Sequence, residues 1–196
     1  MNAANGFPAP VDDGICPWAL GSALMREYHN TEWGVESHDE AHVFEMLILE
    51  GAQAGLSWST ILGRRDGYRR AFRPFDPERL AALTDADLAS LAENTDIIRN
   101  RAKIASVRTN AQATLRLRKE FPSLASYLWG WTDNTRIVHH PERLEDLPPT
   151  TPLSDRVSKD MKKRGFAFVG STIVDSLLQS IGIVDDHIVG CPSKRE

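Results

Sequence analysis

The chain has two cysteines, Cys16 and Cys191, near its opposite ends. So sparse a set excludes a disulfide-dense secreted scaffold. It leaves a terminal disulfide in a secreted protein, or metal ligation as the better reading in a cytosolic one. No run of about 18 apolar residues occurs, so no membrane-spanning helix is expected. The opening stretch MNAANGFPAPVDDG has neither a basic start nor an apolar run, which argues against a secretory leader. It reads as a loose polar tail, and a cytoplasmic protein is expected. Internal repeats and low-complexity segments are also missing.

What is present is a chain of 196 residues, 41% hydrophobic, enough for one core or for two small lobes with a cleft between them. The formal net charge of -4 argues weakly against nucleic acid. Basic residues nevertheless cluster at Arg64-Arg65 with Arg69-Arg70, at Arg99, Arg101 and Lys103, and at Lys162-Lys163-Arg164. Each cluster alone fits a solvated helix face.

Helical signals dominate. Ser37 followed by Glu40 reads as a capping box opening a helix from about Asp39 to Ala54. Thr84 caps Asp85 to Glu93, with Leu88 and Leu91 inward. Ile104, Val107, Ala111 and Leu115 recur at helical spacing and stop before Pro122. Ser123 opens a short apolar helix through Leu128. Thr151 with Pro152 opens another, which stops at Gly165. A last core helix runs from Ser171 to Ile181, ended by Gly182. Strand signals are few, and Asp133 to Thr151 reads as a loop. The fold class is all-α: one compact helical domain over 15–192, with tails at 1–14 and 193–196.

His187 and Cys191 stand four apart, as if on one side of a helical turn. With Cys16 and His29 they form a Cys2His2 set suited to tetrahedral zinc. Buried histidines beside two inert thiols fit the same residues. Four protein ligands would leave no open position, so such a zinc would be structural, tying the N-terminal arm to the C-terminal segment.

Val43, Leu47, Glu50 and Ala54 lie on one helical stripe, so Glu50 interrupts an apolar face. It is either satisfied by backbone or arginine, or it is a pocket acid facing a polar or cationic ligand. Tyr28, Trp33 and Trp58 are close in sequence and could sandwich a flat base, or belong to the core. Between two helices, the segment from Lys162 to Thr172 has glycines at Gly165 and Gly170. Gly170 leads into a helix N-terminus, whose free N–H groups favour an anion. This is how a helix-hairpin-helix element holds a DNA phosphate without reading sequence.

These pieces occur together in one order. They are Cys16-Pro17-Trp18, Tyr28-His29 through Glu32-Trp33-Gly34-Val35, and Phe44-Glu45-Met46 through Leu49-Glu50-Gly51. Gln53 through Trp58, Ile97 through Arg101, Lys162 through Phe166, Phe168-Val169-Gly170 and Asp186-His187 with Cys191 follow. Over roughly Cys16 to Cys191 the chain resembles the 3-methyladenine DNA glycosylase I family of the helix-hairpin-helix superfamily. The resemblance implies hydrolysis of the N-glycosidic bond of 3-methyladenine in alkylated double-stranded DNA. It implies structural zinc on Cys16, His29, His187 and Cys191, and a base pocket of Glu50, Tyr28 and Trp58 with Trp33 nearby. It implies a DNA-gripping hairpin of Lys163, Gly165, Phe166, Val169, Gly170, Ser171 and Thr172. A monomer is the plainer expectation.

The sequence departs from the family pattern at three positions. Asp185 stands where the family commonly has Asn, and it resembles the catalytic Asp of the wider superfamily; it reads either as an aid to catalysis or as a capping residue beside a ligand. Met25 stands where some relatives carry Tyr, and reads as a softer contact to the base. Asp96 replaces a usual Gly, which would strain a turn of positive φ. Competing readings are a catalytically silent zinc-stabilised lesion-binding module, a zinc hydrolase with an open metal site, and a glycosylase for another lesion.

Overall fold

The computed structural model describes residues 14–195. The tail at 1–14 lies outside them except for Gly14, as does residue 196. Ten helices follow in order among the described residues: α1 Ala23–Thr31, α2 Glu40–Gln53, α3 Trp58–Leu62, α4 Arg65–Phe72, α5 Pro77–Ala81, α6 Asp85–Glu93, α7 Arg101–Leu117, α8 Leu124–Trp129, α9 Pro152–Lys163 and α10 Ser171–Ser180. Two-residue strands β1, Ile137–Val138, and β2, Val184–Asp185, pair in parallel. The chain is therefore mostly helical, as the periodicity predicts. β1 falls inside the stretch read as loop, because two residues are too short to show a period.

Short polar side chains start these helices. Ser22, Asp39, Ser57, Asp76, Asn100 and Ser123 each accept a backbone N–H of the following turn. Thr84 with Asp87, and Thr151 with Ser154, form reciprocal capping boxes. The box expected at Ser37 and Glu40 does not form. Asp39 caps α2, and Ser37 Oγ instead lies 2.8 Å from His42 Nδ1. The Glu40 carboxylate reaches across the fold and accepts from Leu124 N and Ala125 N, both at 3.0 Å. It satisfies N–H groups that α8 leaves open at its start, so its partner is tertiary.

The α2 helix is the central post and packs against α3, α7, α8 and α10. Every residue from Val43 to Ala52 is buried. The single apolar stripe expected from the sequence is thus a helix buried all round. Two carboxylates are carried inside with it. Glu45 is paired with Arg65 and Arg69, each at 2.8 Å. Glu50 has no such partner among the described residues, and this contrast singles out the site.

The segment after α10 closes the fold. Gly182 has φ +76°, and a Cβ there would meet the backbone of Val35 and Glu36 at 2.4 Å. Only glycine allows this close crossing. Asp96 takes an ordinary negative φ, so the expected strain is absent. Its carboxylate instead pairs with Arg70 at 2.9 Å.

Candidate functional site: an aromatic pocket beside a cysteine–histidine cluster

Glu50 sits in the last turns of α2 and faces a cavity of about 220 Å³. Met25 and Tyr28 of α1, with Trp18 and Trp33 around them, form one wall. Trp58, at the start of α3, forms another; Gln53, Ser176 and Gln179 complete the lining. Tyr28 and Trp58 are 5.2 Å apart between ring centroids and tilted by 56°. The cavity is small and mostly ringed by π faces, which suits one flat heterocycle. A larger cleft, about 540 Å³, lies beside Arg64, Asp66, Arg70 and Asp96. It is open and has no aromatic ring on its walls, so it offers a flat ligand nothing to stack on.

Burial pushes the Glu50 carboxyl up to about 8, with no opposing cation. The Tyr28 hydroxyl is pushed upward too, first by burial and then by Glu50 and Glu32. Burial thus favours the neutral acid, and a cationic guest would favour its ionised form.

A second hollow of about 160 Å³ shares Glu50, Gln53 and Ser176 with the first. It runs on past Gly55 and Leu56 to Thr172 and Ile173 at the start of α10. Unlike α1, α2, α6, α7 and α9, α10 begins with no capping side chain, at Gly170. Its first N–H groups are therefore open to an anion beside the pocket. The turn before it is rigid. Phe166 N donates to Met161 O and Gly165 N to Lys162 O, both at 3.0 Å, with Gly165 at φ +87°. This is a Schellman close to α9. Asn110 fixes Ala167 by two bonds, 2.7 and 3.1 Å, and Ser158 Oγ donates to Val169 O at 2.6 Å.

Behind the wall opposite Glu50 lies the cysteine–histidine cluster. Cys16, His29 and Cys191 are buried, with ligand atoms within 4.8 Å of one another. His187 adjoins them, its ring centroid 4.8 Å from that of His29. His187 Nε2 is buried without a hydrogen-bond partner, while Nδ1 is 2.7 Å from Asp185 Oδ1. Cys16, His29 and Cys191 converge as three ligands, and an orphaned imidazole nitrogen on the adjoining His187, braced from behind by a carboxylate, fits the fourth position of a tetrahedral zinc site. His187 and Cys191 do not share a helical turn as their spacing predicts. They meet across a tight turn in which Cys191 N donates to Ile188 O at 3.1 Å and Gly190 has φ +83°.

The family model described as methyladenine glycosylase matches residues 18–194. The DNA-3-methyladenine glycosylase of Haemophilus influenzae is 40% identical over 179 residues, covering 91% of this chain and 97% of that protein. DNA-3-methyladenine glycosylase 1 of Escherichia coli is 42% identical over 176 residues, covering 90% and 94%. A solved 3-methyladenine DNA glycosylase I superposes with a TM-score of 0.89 at 43% identity, over 92% of this chain and 100% of that one. The enzyme from Staphylococcus aureus, solved for its recognition of 3-methyladenine, gives 0.88 at 32% identity, over 91% and 96%.

The chain belongs to the methyladenine glycosylase family.

In this methyladenine glycosylase the pocket gathers Tyr28, Trp33, Glu50, Trp58 and Met25, all expected from the sequence. Asp185 is not among them. It is fully buried behind His187, and its oxygens are taken up by His187 N and Nδ1, Arg195 N and, at 2.5 Å, Arg136 Nη2. Burial works to raise its pKa, but the hydrogen bonds from His187 and Arg195 hold it down at about 2. It braces His187 and does not line the cavity, an arrangement that matches the capping alternative offered for it.

The hairpin residues also divide. Lys163 and Thr172 are exposed and Ser171 and Gly170 partly so, whereas Phe166 and Val169 are buried at 5% and 2%. The side chains of these last two anchor the turn in the core. Most basic clusters are spent internally. Arg65 joins Glu32 at 2.7 Å as well as Glu45, and Lys103 Nζ donates to Ala52 O and Ala54 O at 2.8 and 2.6 Å. That last contact fixes the carbonyl end of α2 next to Glu50. The sequence argument missed Trp18, Gln53, Ser176 and Gln179 as lining residues. The only signal for the last two is a pair of polar residues one turn apart on an apolar helix.

Proposed function

We propose that this chain excises 3-methyladenine from alkylated double-stranded DNA by hydrolysing the N-glycosidic bond. The observation that carries the reading is Glu50: a buried carboxyl without a hydrogen-bond or ion-pair partner among the described residues, ringed by Tyr28, Trp58 and Trp33. Curated relatives of similar length bear that activity in their names, and a solved relative holds 3-methyladenine itself.

Adenine methylated at N3 is cationic while still joined to deoxyribose. The C1′–N9 bond breaks with both electrons going to the base, which leaves neutral. Water adds to C1′ and gives up a proton. Because the substrate's own charge weakens the bond, recognition is the main task. Tyr28 and Trp58 stack on the cationic ring, worth about 1–2 kcal/mol when desolvated. Glu50 accepts hydrogen bonds from it and complements its charge. Unmodified adenine lacks that charge. The α9–α10 turn acts as the helix-hairpin-helix element, with Lys163 and the open N–H groups at Gly170, Ser171 and Thr172 on a phosphate. Leu56, 40% exposed on the wall of the adjoining hollow, would serve as an apolar wedge for the gap left by a flipped base.

Cys16, His29, His187 and Cys191 would hold zinc, which supplies a structural cross-link and no open coordination position. The site is complete in one chain, which supports a monomer with a single helical domain over 15–192 between short tails; a cytoplasmic location belongs to the same proposal. Among the described residues no helix is long and apolar enough to cross a membrane.

The test is incubation with methylated genomic DNA and mass spectrometry of the released bases, with Glu50→Gln in parallel. Free 3-methyladenine from wild type, strongly reduced in the variant, supports the reading. No release from folded, zinc-loaded protein leaves the silent lesion-binding module in its place.

A further inference from the structure

Ser176 and Gln179 lie one turn apart on α10, and both line the base cavity. The Gln179 amide is held from behind by acids. Its Nε2 donates to Asp186 Oδ2 at 2.6 Å and, more weakly, to Asp175 Oδ2 at 3.4 Å. Those acids are themselves buried and fixed. Asp186 Oδ1 lies 2.6 Å from His139 Nδ1, and Asp175 Oδ1 accepts from Thr151 Oγ1 at 2.9 Å.

An ionised carboxylate only accepts hydrogen bonds, so turning the amide over would set oxygen against oxygen. The hydrogen-bond network therefore assigns the orientation of the amide. Its nitrogen is committed to Asp186 and Asp175. Its Oε1 is left over, an acceptor with no hydrogen bond from any described residue.

We infer that Gln179 Oε1 is a fixed acceptor that reads the exocyclic amino group of the extruded base and rejects bases bearing a carbonyl there. A donor on the base completes the network. A carbonyl would bring two acceptors together out of water, with neither satisfied. Asp186 and Asp175 are the positioning residues that keep the amide from adapting. Stacking, charge and a hydrogen bond from one amino N–H, supplied by Tyr28, Trp58 and Glu50, select a flat cationic base; Gln179, on the other amino N–H, sharpens the choice among such bases. The inference rests on reading the cavity as a base pocket.

The test is titration of the full, zinc-loaded chain with free 3-methyladenine and free 3-methylhypoxanthine, which carries a carbonyl in place of the amino group. Quenching of the tryptophans that line the cavity reports binding. Wild type is expected to favour 3-methyladenine by tenfold or more. Gln179→Met keeps the length and removes the acceptor. It is expected to weaken 3-methyladenine about tenfold, the loss of one hydrogen bond, and to leave 3-methylhypoxanthine unchanged or tighter. If that variant does not fold, Gln179→Ala takes its place with the same expectation. A folded variant that keeps the wild-type ratio overturns the inference, as does an equal loss for both bases, since a packing role would produce that. Equal binding of the two bases by wild type overturns the Gln179 inference alone. Binding of neither overturns it together with the base-pocket reading.

Discussion

Trp33 stands edge-on to His187, with ring centroids 4.5 Å apart and planes at 65°. Its other neighbours are Trp18, at 5.0 Å, and His29, against which it stacks at 5.9 Å. One indole therefore serves two sites. One side is the wall of the base pocket, and the other packs on the imidazoles of the cysteine–histidine cluster. Anything that loosens the cluster should reach the pocket within one side chain.

That coupling is testable by metal removal. Chelation of zinc, or Cys191→Ala, is expected to lower stability by roughly 3–5 kcal/mol, comparable to losing a native disulfide. It should also shift tryptophan emission and weaken binding of free 3-methyladenine in parallel. Denaturant melts and fluorescence titration on the same samples check this. Full base binding by the metal-free protein would mean that the wall stands without the cluster.

Glu50 predicts a pH dependence of stability with a definite sign. Its pKa is raised from 4.5 to about 8 by burial. Between those values the folded state binds more protons than the unfolded state, so stability falls as pH rises. Glu50→Gln removes this term. The variant should match wild type near pH 4.5 and become progressively more stable up to about pH 8, by several kcal/mol in order of magnitude. At neutral pH it should release 3-methyladenine on the order of a hundredfold more slowly, for loss of a charge-assisted bond. Urea melts at stepped pH and single-turnover assays measure the two effects separately.

Asp185→Asn tests the brace behind His187. The amide can still accept from His187 Nδ1, but Arg136, at 17% side-chain exposure, loses its counter-charge. Zinc affinity should drop by about 10–100-fold, while base excision by the zinc-saturated variant stays within about twofold of wild type, because Asp185 does not line the pocket. Competition against a chromophoric chelator gives the first number. A large rate loss at saturating zinc would return Asp185 to the chemistry.

On the hairpin, Lys163 and Phe166 should fail in opposite ways. Lys163→Ala is expected to leave stability unchanged, weaken DNA binding across sequences, and reduce the salt slope by about 1. Phe166→Ala empties a core position and should cost about 3–5 kcal/mol. Salt-dependent anisotropy with duplex DNA and thermal melts distinguish them.

The sequence by itself determined what is local. Caps such as Thr84 and Thr151 announce α6 and α9 because the capping side chain and its N–H target lie within one turn. The pocket residues Tyr28, Glu50 and Trp58 were legible because several segments occur together in a family's order. Only the tertiary structure decided what depends on contact between distant residues. Glu40 was read as a local capping residue and proved to serve α8, more than eighty residues away in the chain. Glu45 and Glu50 look alike in sequence, and only the arrival of Arg65 and Arg69 from α4 makes one a structural ion and leaves the other for a ligand. Asp185 offers two readings in sequence, and only the structure shows Arg136, brought over by the β1–β2 pairing, on one of its oxygens. Helix starts and turns are set by neighbours in the chain. The role of a buried charge is set by what folds against it, because an unpaired charge out of water is too costly to leave its partner to chance.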